Sequence, residues 1–466
     1  MKPQNFILAL AFVTTLIIFS ACKKADVNAA APSTPTVNPV TPTSMNQVLD
    51  SSLLLSREIY LWYNQIPSTF NAASYADPTK LMEAIRQYSV ESGFSAPVDK
   101  WSFAMKKKDW DNESNGLVMS NTTANITGDF GISVFFRAEG DLRVRSVEKA
   151  SPAGEAGIHR SWRVLKINGN TNLTTTNSTF ILDNVYNSSN TSFTFGKPDG
   201  STADITLNAA TYKTQPVYLD TIYNLSTKRI GYLVFNSFLG DTTQMYNNFQ
   251  RVFSKFASQD ITDIAIDLRY NGGGYVSVQD KLADMLVSSS ANNSLMFKEQ
   301  FNDKNSQYNA ATNFQKTGSL NLSRIYFIVS NSTASASELL INNLKPYMDV
   351  QLVGPSNTYG KPVGFFPIGV GDWYIFPVSF RSINKNGTGN YFNGLPVNNR
   401  VADGLDKDWG DVTESCLASV LKRVTTSSYR PGGNSEFTEV PAAVKNSNAV
   451  LDAPFFKGAI GNALRP

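Results

Sequence analysis

The spacing of apolar residues changes along this chain of 466 residues and divides it into segments of different predicted structure. Over residues 45–115 apolar positions recur every three or four residues, which predicts a small helical N-terminal domain. Over residues 120–208 they alternate with polar positions, which predicts short strands. Over residues 215–425 strand-like runs alternate with amphipathic helical stretches, which is typical of an α/β domain with a buried sheet. Residues 426–466 are polar and weakly patterned, and we assign them as a C-terminal tail.

The first residues of the chain have the pattern of a targeting signal. Residues 1–21 hold a short apolar run followed by small residues, which predicts a secretory signal peptide. Cys22 follows directly and resembles the lipidated cysteine of the bacterial lipobox, although Phe19 stands where leucine is commoner. An ordinary cleaved signal with an incidental cysteine is the alternative. Residues 22–44, rich in Pro, Thr and Ala, predict a linker, so we expect a lipid-anchored protein of the bacterial cell envelope that faces the periplasm or the cell exterior.

Composition and charge narrow the range of functions. Charged residues make up 17% of the chain, against a typical ~25%, and the net charge of +3 is spread without a basic block. A nucleic-acid-binding face is therefore not expected. With two cysteines and one histidine in the sequence, a zinc site is not expected either. If Cys22 carries lipid, Cys416 has no disulfide partner and is predicted to be a small buried apolar residue.

A cluster of small hydroxyl residues follows one of the predicted strands. The stretch "NSTASASELL", residues 331–340, comes directly after the apolar run "RIYFIVS". Ser335 would lie at the N-terminus of the next helix, where unsatisfied amides and the helix dipole favour a developing negative charge. The N–H of Ala336 could then point at an oxyanion, and Glu338 lies one turn along on the same face. The alternative is a plain capping box between Ser335 and Glu338.

A second candidate is the glycine-rich turn in "DLRYNGGGYVS", residues 267–277. Three glycines after a buried strand allow left-handed backbone and the close approach of a ligand. Gly272 or Gly273 could donate a second amide to an oxyanion. A phosphate-binding loop is the other possibility, but the Gly-Lys-Ser/Thr of that motif is missing.

A lysine could supply the proton acceptor that a serine nucleophile needs. Lys361 lies in "SNTYGKPVGFF", just after the predicted strand "VQLVG". A lysine held against an apolar wall loses its charge more easily, so its pKa can fall far enough for it to act as a base. The alternative is a solvated loop lysine. His159, the single histidine, lies in the strand-rich segment, and we expect an exposed loop residue.

The strand-rich segment resembles a PDZ domain. The matching features are Gly128-Asp129-Phe130-Gly131-Ile132, at the position of that family's carboxylate-binding loop, and the stretches "SPAGEAGI" and "VLKINGN". The resemblance implies that Phe130, Gly131 and Ile132 bind a peptide, which is added to the sheet as a strand with its terminal carboxylate on backbone amides.

The three chemical motifs together resemble those of the C-terminal processing, or tail-specific, serine proteases. The resemblance implies that Ser335 is the nucleophile and Lys361 the general base. It implies that Ala336 and either Gly272 or Gly273 form the oxyanion hole. The implied fold is multidomain α+β: a small helical N-terminal domain, a PDZ-like β domain, and an α/β catalytic domain of the ClpP/crotonase-like type.

Two features depart from the pattern of that family. Lys361 follows Ser335 by 26 positions, one more than the commonest spacing, which a loop insertion could absorb. Many members carry a glutamine four residues after the lysine to orient it, and here that position is Phe365. Either another residue orients the lysine, for which Glu338 is our candidate, or the dyad is weaker.

The expected function is a serine endopeptidase that cleaves envelope proteins or peptides, whose unstructured C-terminal tails the PDZ-like domain recognises. No metal or cofactor is expected. The expected partners are these substrates and, through the lipid anchor, the membrane. The alternative is an envelope lipoprotein of the same fold that captures peptides or other ligands without cleaving them, because the fold alone does not decide between the two.

Overall fold

The computed structural model describes residues 44–119, 126–226, 228–429 and 439–461. The segment predicted as a signal peptide, Cys22 and the linker up to residue 43 lie outside the described residues, so their assignments stay predictions. Among the helices of the described ranges, none is both long enough and apolar enough to span a membrane.

The segment predicted to be helical contains three α-helices and two short strands. They are α1 (Met45–Ile59), α2 (Pro78–Ile85), β1 (Phe103–Lys106), α3 (Lys107–Ser114) and β2 (Leu117–Val118). Asp77 caps α2 by accepting from Lys80 N–H at 3.0 Å, and Pro78 fills the first helical position. The apolar faces of α1 and α2 are buried in a core that also contains Phe365 of the α/β segment. This shared core forms one wall of the site described below.

The strand-rich segment folds into an antiparallel sheet, which we call the five-stranded module. Its elements are β3 (Ile132–Ala138), β4 (Asp141–Val147), α4 (Pro152–Glu155), β5 (Arg163–Ile167), α5 (Ser178–Tyr186), β6 (Asn190–Gly196) and β7 (Thr202–Asn208). The strands lie in sequence order, so β3 is an edge strand. Alternate apolar residues, such as Val134 and Phe136 of β3, are buried in one core. The short strand β8 (Tyr212–Lys213) follows the module and pairs with β2.

A six-stranded sheet forms the centre of the α/β segment. Its strands, in spatial order, are β21 (Asn399–Arg400), β16 (Asp349–Gly354), β15 (Arg324–Ile328), β11 (Asp263–Asp267), β10 (Lys228–Phe235) and β9 (Val217–Leu225). Neighbouring strands are parallel except for β9, which runs antiparallel to β10. Helices cover both faces: α6 (Thr242–Ala257), α7 (Val276–Leu286) and α8 (Ala336–Leu344) on one, α9 (Ser415–Thr426) on the other. This double cover explains why every residue of β11 is buried.

Two smaller sheets complete the α/β segment. The first joins β14 (Ala310–Asn313), β13 (Leu295–Phe301), β20 (Phe380–Asn384) and β17 (Val363–Gly364). The second joins β1, β19 (Trp373–Phe376) and β18 (Ile368–Val370). Because β1 comes from the N-terminal segment, the second sheet attaches that segment to the α/β core.

The region predicted as a tail contains two elements that its weak apolar pattern does not predict. Helix α10 (Ala442–Asp452) packs against β3 and α5 of the five-stranded module. Strand β22 (Gly458–Ile460) pairs in parallel with β12 (Gly273–Tyr275), which includes two glycines of the glycine-rich turn. The C-terminal region therefore contacts both the module and the α/β segment.

Candidate active site

Three loops meet at the carboxyl ends of neighbouring strands. Strands β11, β15 and β16 lie side by side and run in parallel, so the loops that follow them open at the same edge of the sheet. Gly272 and Gly273 follow β11, Ser335 follows β15, and Lys361 follows β16. Ligands of open parallel sheets bind at this edge. The fold thus brings together the three motifs singled out in the sequence.

A buried ionic network holds the loop after β11. Arg269 donates to Asp267 at 2.7 Å and to Glu414 at 2.8 Å. A further bond from Arg269 reaches Asp403 at 2.9 Å. Burial alone would raise the pKa of Glu414, but the charge and hydrogen bonds of Arg269, together with the charge of Arg160, outweigh burial and lower this pKa to about 2. The network fixes the position at which the glycines begin.

Asn271 connects the glycine loop to the serine loop. Its carbonyl oxygen accepts from Ala334 N–H at 3.0 Å and from Ser337 Oγ at 3.1 Å. Its side chain donates to Phe235 O at 2.9 Å and accepts from Gly273 N–H at 2.9 Å. One residue therefore sets the distance between the two loops.

Ser335 lies immediately before α8 in a strained backbone conformation. Its φ of 59° and ψ of −109° are unusual for a residue with a side chain, and such strain concentrates at functional sites. Ser335 is 1% exposed and is arranged with Glu338 as a capping box, as the alternative predicts, but its Oγ makes no well-formed hydrogen bond with the described residues. A buried hydroxyl without a partner calls for an explanation. Its place at a helix N-terminus, next to Ala336 N–H, suits a nucleophile whose product is an oxyanion.

Glu338 is buried and joins the serine loop to the lysine loop. Its Oε2 accepts from the N–H groups of Ser335 and Lys361, each at 2.8 Å. Its Oε1 accepts from Gly360 N–H at 2.7 Å and from Thr358 Oγ1 at 2.5 Å. Burial raises the pKa of Glu338, and these hydrogen bonds oppose the rise. Glu338 is predicted to orient Lys361. In the structure it accepts a hydrogen bond from the backbone N–H of Lys361.

Lys361 is 1% exposed, and its amino group lies among aromatic rings. Its Nζ is 3.7 Å from the centre of the Phe365 ring and 5.6 Å from that of Trp101. Burial lowers the pKa of Lys361 well below its ordinary value, and the negative charge of Asp99 offsets only part of this effect. A lysine that loses its proton so readily can accept one from a serine hydroxyl.

Phe365 and Trp101 are site residues that sequence reasoning misses. In the sequence, Phe365 stands out only because it occupies the position of the family's glutamine. Trp101 is expected to be a core residue of the helical segment. The Phe365 ring is fully buried, at 5.4 Å from the ring of Phe103 and 5.7 Å from that of Phe376. Packing therefore fixes this ring against Lys361. The signal that could have revealed it is the apolar run "PVGFF" directly after the lysine.

The candidate oxyanion donors lie close to one another. A Cβ atom on Gly273 would lie 2.9 Å from Ala336 N, and the φ of Gly273 is 102°, so only glycine fits there. In the arrangement observed, Gly273 N–H donates to Asn271 and is not directed at an oxyanion. Gly272 adjoins it in the same loop, and its carbonyl oxygen accepts from Gly458 N–H at 2.9 Å.

The chain's own C-terminal strand thus lies beside the glycine and lysine loops. Lys361 Nζ donates to Lys457 O at 3.1 Å. Ser335 Oγ lacks a partner in the part of the chain that the structure describes, so serine and lysine are not hydrogen-bonded to each other. Ser335 and Lys361, which are expected to form a dyad, lie on adjacent loops. The amine of Lys361 donates to Lys457 O and not to Ser335.

Phe130, Gly131 and Ile132 form the turn into the edge strand β3. Phe130 and Ile132 are buried in the core of the module, and Gly131 N–H donates to Asp129 Oδ1 at 2.7 Å. All three line a cavity of about 590 Å³ that extends to Gly272. The predicted peptide-binding residues and the glycine loop therefore share one cavity.

The remaining candidates belong to other elements, His159 to the five-stranded module and Cys416 to α9. His159 is exposed, and its Nδ1 lies 3.2 Å from Asp408 Oδ2. Cys416 is buried, as predicted, and burial raises the pKa of its thiol. Over the described ranges, no group of three or more His, Cys, Asp and Glu side chains is arranged to hold a metal ion.

Comparisons with known proteins identify two domains in the chain. Residues 229–390 match the family described as Peptidase family S41, and residues 46–103 match the family described as Peptidase S41 N-terminal domain. These matches confirm the resemblance drawn from the sequence motifs. A search of curated proteins finds no significant match.

Solved structures support the fold. The chain is similar to a Bacteroides fragilis protein assigned to the S41 proteases, with 21% identity and a TM-score of 0.66 over 81% of this chain and 97% of that one. This likeness shows a mixed α/β fold of the S41 type. The photosystem II D1 C-terminal processing protease matches with 16% identity and a TM-score of 0.47 over 78% of this chain and 94% of that one.

Proposed function

We propose that this chain, which carries the peptidase domain and the N-terminal domain of the S41 (C-terminal processing protease) family, is a serine endopeptidase with Ser335 as nucleophile and Lys361 as general base. The S41 domain itself implies serine-type peptidase activity. The observation that best supports these two residues is a strained, buried serine at a helix N-terminus beside a buried lysine whose pKa is lowered.

The reaction needs Lys361 Nζ, and an N–H of the glycine loop, to turn from their observed partners toward the reacting groups. When Lys361 Nζ exchanges Lys457 O for Ser335 Oγ, it takes the serine proton as Oγ bonds to the carbonyl carbon of the substrate. Ala336 N–H, with an N–H of the glycine loop, stabilises the oxyanion. The C–N bond then breaks and Lys361 gives the proton to the leaving amine. Water hydrolyses the acyl-enzyme with the same lysine as base.

An extended peptide is the substrate class that suits the cleft. Strand β12 offers its backbone to a parallel strand, as its pairing with β22 illustrates. The module would bind unstructured C-terminal tails as a PDZ domain does. Two observations support this: the turn of Phe130, Gly131 and Ile132 leads into an edge strand, and it shares a cavity with Gly272.

The proposed location is the bacterial cell envelope, with the chain anchored through lipid on Cys22. The apolar run and small residues before Cys22 support this placement. Membrane fractionation of cells that express Cys22→Ala tests it. Release of the variant into the soluble fraction would support the anchor, and unchanged retention on membranes would contradict it.

A peptide-binding protein without catalysis is the second candidate function. The observation that favours it is that Ser335 Oγ and Lys361 Nζ are not bonded to each other. The presence of both residues at the same edge of the sheet favours the peptidase, because a site that no longer reacts is under no constraint to keep both.

Cleavage of an unstructured protein that ends in apolar residues tests the proposal. The purified wild type is compared with Ser335→Ala and Lys361→Ala, and Ser201→Ala and Lys80→Ala serve as matched controls at exposed positions. We expect fragments, read by mass spectrometry, from the wild type and both controls only. Binding of the substrate tail by the wild type without cleavage would support the binding protein instead.

A further inference from the structure

Residues 439–461, which we call the C-terminal segment, reach both surfaces that the proposed function assigns to substrates. Helix α10 packs on the edge strand β3 and on α5 of the five-stranded module. Strand β22 pairs with β12 beside the catalytic loops. One continuous stretch of chain therefore covers the groove of the module and the cleft of the α/β segment.

An asparagine holds helix α10 on the edge strand. Asn448 Oδ1 accepts from Phe136 N–H at 2.7 Å, and Asn448 Nδ2 donates to Phe136 O at 2.9 Å. These are the backbone groups that an edge strand offers to an added peptide strand. Val444 and Leu451 of the same helix are fully buried in the core of the module. The helix thus takes the place of a bound peptide on this edge.

Strand β22 is bonded on both sides, as an added substrate strand would be. Gly458 N–H donates to Gly272 O at 2.9 Å on the glycine loop. Ala459 O accepts from Phe365 N–H at 3.1 Å on the lysine loop. A Cβ on Gly272 would lie 1.9 Å from Phe456 O, so the close approach depends on glycine.

The same strand engages the groups that would carry out catalysis. Lys361 Nζ donates to Lys457 O, while Ser335 Oγ is without a partner in the described chain. A Cβ on Gly273 would lie 2.4 Å from Gly458 O, so this carbonyl lies against the candidate oxyanion loop. The strand fills the space that a substrate carbonyl needs next to the lysine.

A buried carboxylate, that of Asp452, fixes the junction between α10 and β22. It accepts from Arg145 of the module at 2.6 Å, from Ser332 of the serine loop at 2.8 Å and from Lys457 at 2.9 Å. Burial raises the pKa of Asp452, but the charges of Arg145 and Lys457 outweigh it and hold the pKa below its ordinary value. One ionised side chain therefore connects the module, the serine loop and β22.

We propose that the C-terminal segment is an intramolecular ligand that covers the edge strand β3 at Phe136, fills the catalytic cleft and keeps the peptidase at rest until β22 leaves that cleft. The inference rests on the proposed function, because the cleft that it closes is the one in which Ser335 would act. A substrate tail that pairs with β3 competes with α10 for the backbone groups of Phe136. Displacement of α10 removes Asp452 from its partners and releases β22, so binding at the module opens the catalytic cleft.

The test compares three variants with the wild type. The first ends at Phe455 and lacks β22, the second carries Asp452→Asn in the full chain, and Asp183→Asn is the matched control at an exposed position. We expect kcat/KM on an unstructured protein to rise roughly tenfold in the first, several-fold in the second and less than about twofold in the control. A synthetic peptide of residues 455–461 should inhibit the shortened protein by raising KM without changing kcat, and a scrambled peptide should not.

Binding of the fluorescently labelled peptide separates this inference from the proposed function. If the peptide binds the shortened protein but not the wild type, the inference is supported, whether or not the proteins cleave the substrate. If neither protein cleaves the substrate, the proposed peptidase function fails. A shortened protein that melts like the wild type, cleaves no faster and binds no peptide would overturn the inference and leave the peptidase intact. If the shortened protein does not fold, the full-length Asp452→Asn variant tests the inference. A kcat and KM equal to those of the wild type in this variant would overturn the inference.

Discussion

Glu338→Gln removes the charge of the carboxylate that joins the serine and lysine loops and keeps its volume. Four donors face this carboxylate: the N–H groups of Ser335, Gly360 and Lys361, and Thr358 Oγ1. Alanine would leave all four without an acceptor at about 1–3 kcal/mol each, roughly the whole stability of ~5–15 kcal/mol that a domain has. Glutamine is therefore the informative replacement.

The expected loss of stability follows from the way a glutamine fits. With its carbonyl oxygen at the Oε2 position, it still accepts from Ser335 and Lys361. Its NH₂ group donates to the Thr358 hydroxyl, which can rotate to accept, but the same group faces the N–H of Gly360. One buried N–H loses its acceptor, and the other bonds lose the assistance of a charge. We expect the free energy of unfolding to fall by about 2–4 kcal/mol.

The same replacement is expected to shift the pH dependence of kcat/KM in a defined direction. Burial lowers the pKa of Lys361, and the negative charge of Glu338 opposes part of that effect. Without the charge the pKa of Lys361 falls further, so the ascending limb of kcat/KM against pH moves to lower pH. The maximum of kcat/KM falls by roughly 10- to 100-fold because the serine loop loses one of its tethers.

Urea unfolding and the pH profile of kcat/KM, measured on wild type and variant, check both expectations. Glu83→Gln is the matched control: Glu83 is partly exposed and pairs with Lys80 on α2, so its replacement should change neither quantity measurably. The reasoning would be refuted if Glu338→Gln unfolded like the wild type, or if its ascending limb moved to higher pH.

Three further replacements test separate parts of the site. Phe365→Ala admits water to the amine of Lys361, so its pKa rises and the ascending limb of kcat/KM should move to higher pH; an unmoved limb would contradict the role of the ring. Gly273→Ala places a Cβ 2.4 Å from a backbone oxygen and should abolish cleavage and lower Tm, whereas Gly140→Ala, with open space around the added atom, should keep its activity. His159→Ala should cleave at the wild-type rate, and a near-total loss of turnover would exclude lysine as the base.

Local patterns in the sequence predict most of what assembles the site. The apolar run before Ser335 becomes β15, and the helix that follows begins at Ala336. The run "DIAIDLR" becomes β11, and its glycines form the turn beside the serine loop. Since parallel strands present their carboxyl ends at one edge, alternation of strands and helices is enough to bring these loops together.

The C-terminal elements could not be predicted because distant residues stabilise them. Helix α10 has five polar residues among its eleven, and few of its residues, such as Val444 and Leu451, are fully buried against the module. Strand β22 has three residues, and its pairing partner Gly273 lies far earlier in the chain. Neither contact leaves a periodic signal in the local sequence.

Phe365 shows how a departure from a family pattern can mislead. The missing glutamine suggests a weaker base, because a hydrogen-bond donor and acceptor is lost. The structure places the ring directly against Lys361 Nζ, where burial favours the neutral amine and outweighs the attraction of the ring face for a cation. The sequence identifies Phe365 but does not show the orientation of its ring. Packing against Phe103 and Phe376 determines that orientation.

Covalent labelling tests most directly the claim that Lys361 activates Ser335. A serine-directed fluorophosphonate, followed by intact mass and peptide mapping, reports the reactivity of the hydroxyl without any knowledge of the substrate. We expect a single adduct on Ser335, formed in the fraction of molecules from whose cleft β22 has moved away, whose rate of formation rises with pH as Lys361 loses its proton and falls by about 100-fold or more in Lys361→Ala. An adduct on another residue, or an equal rate in Lys361→Ala, would contradict it.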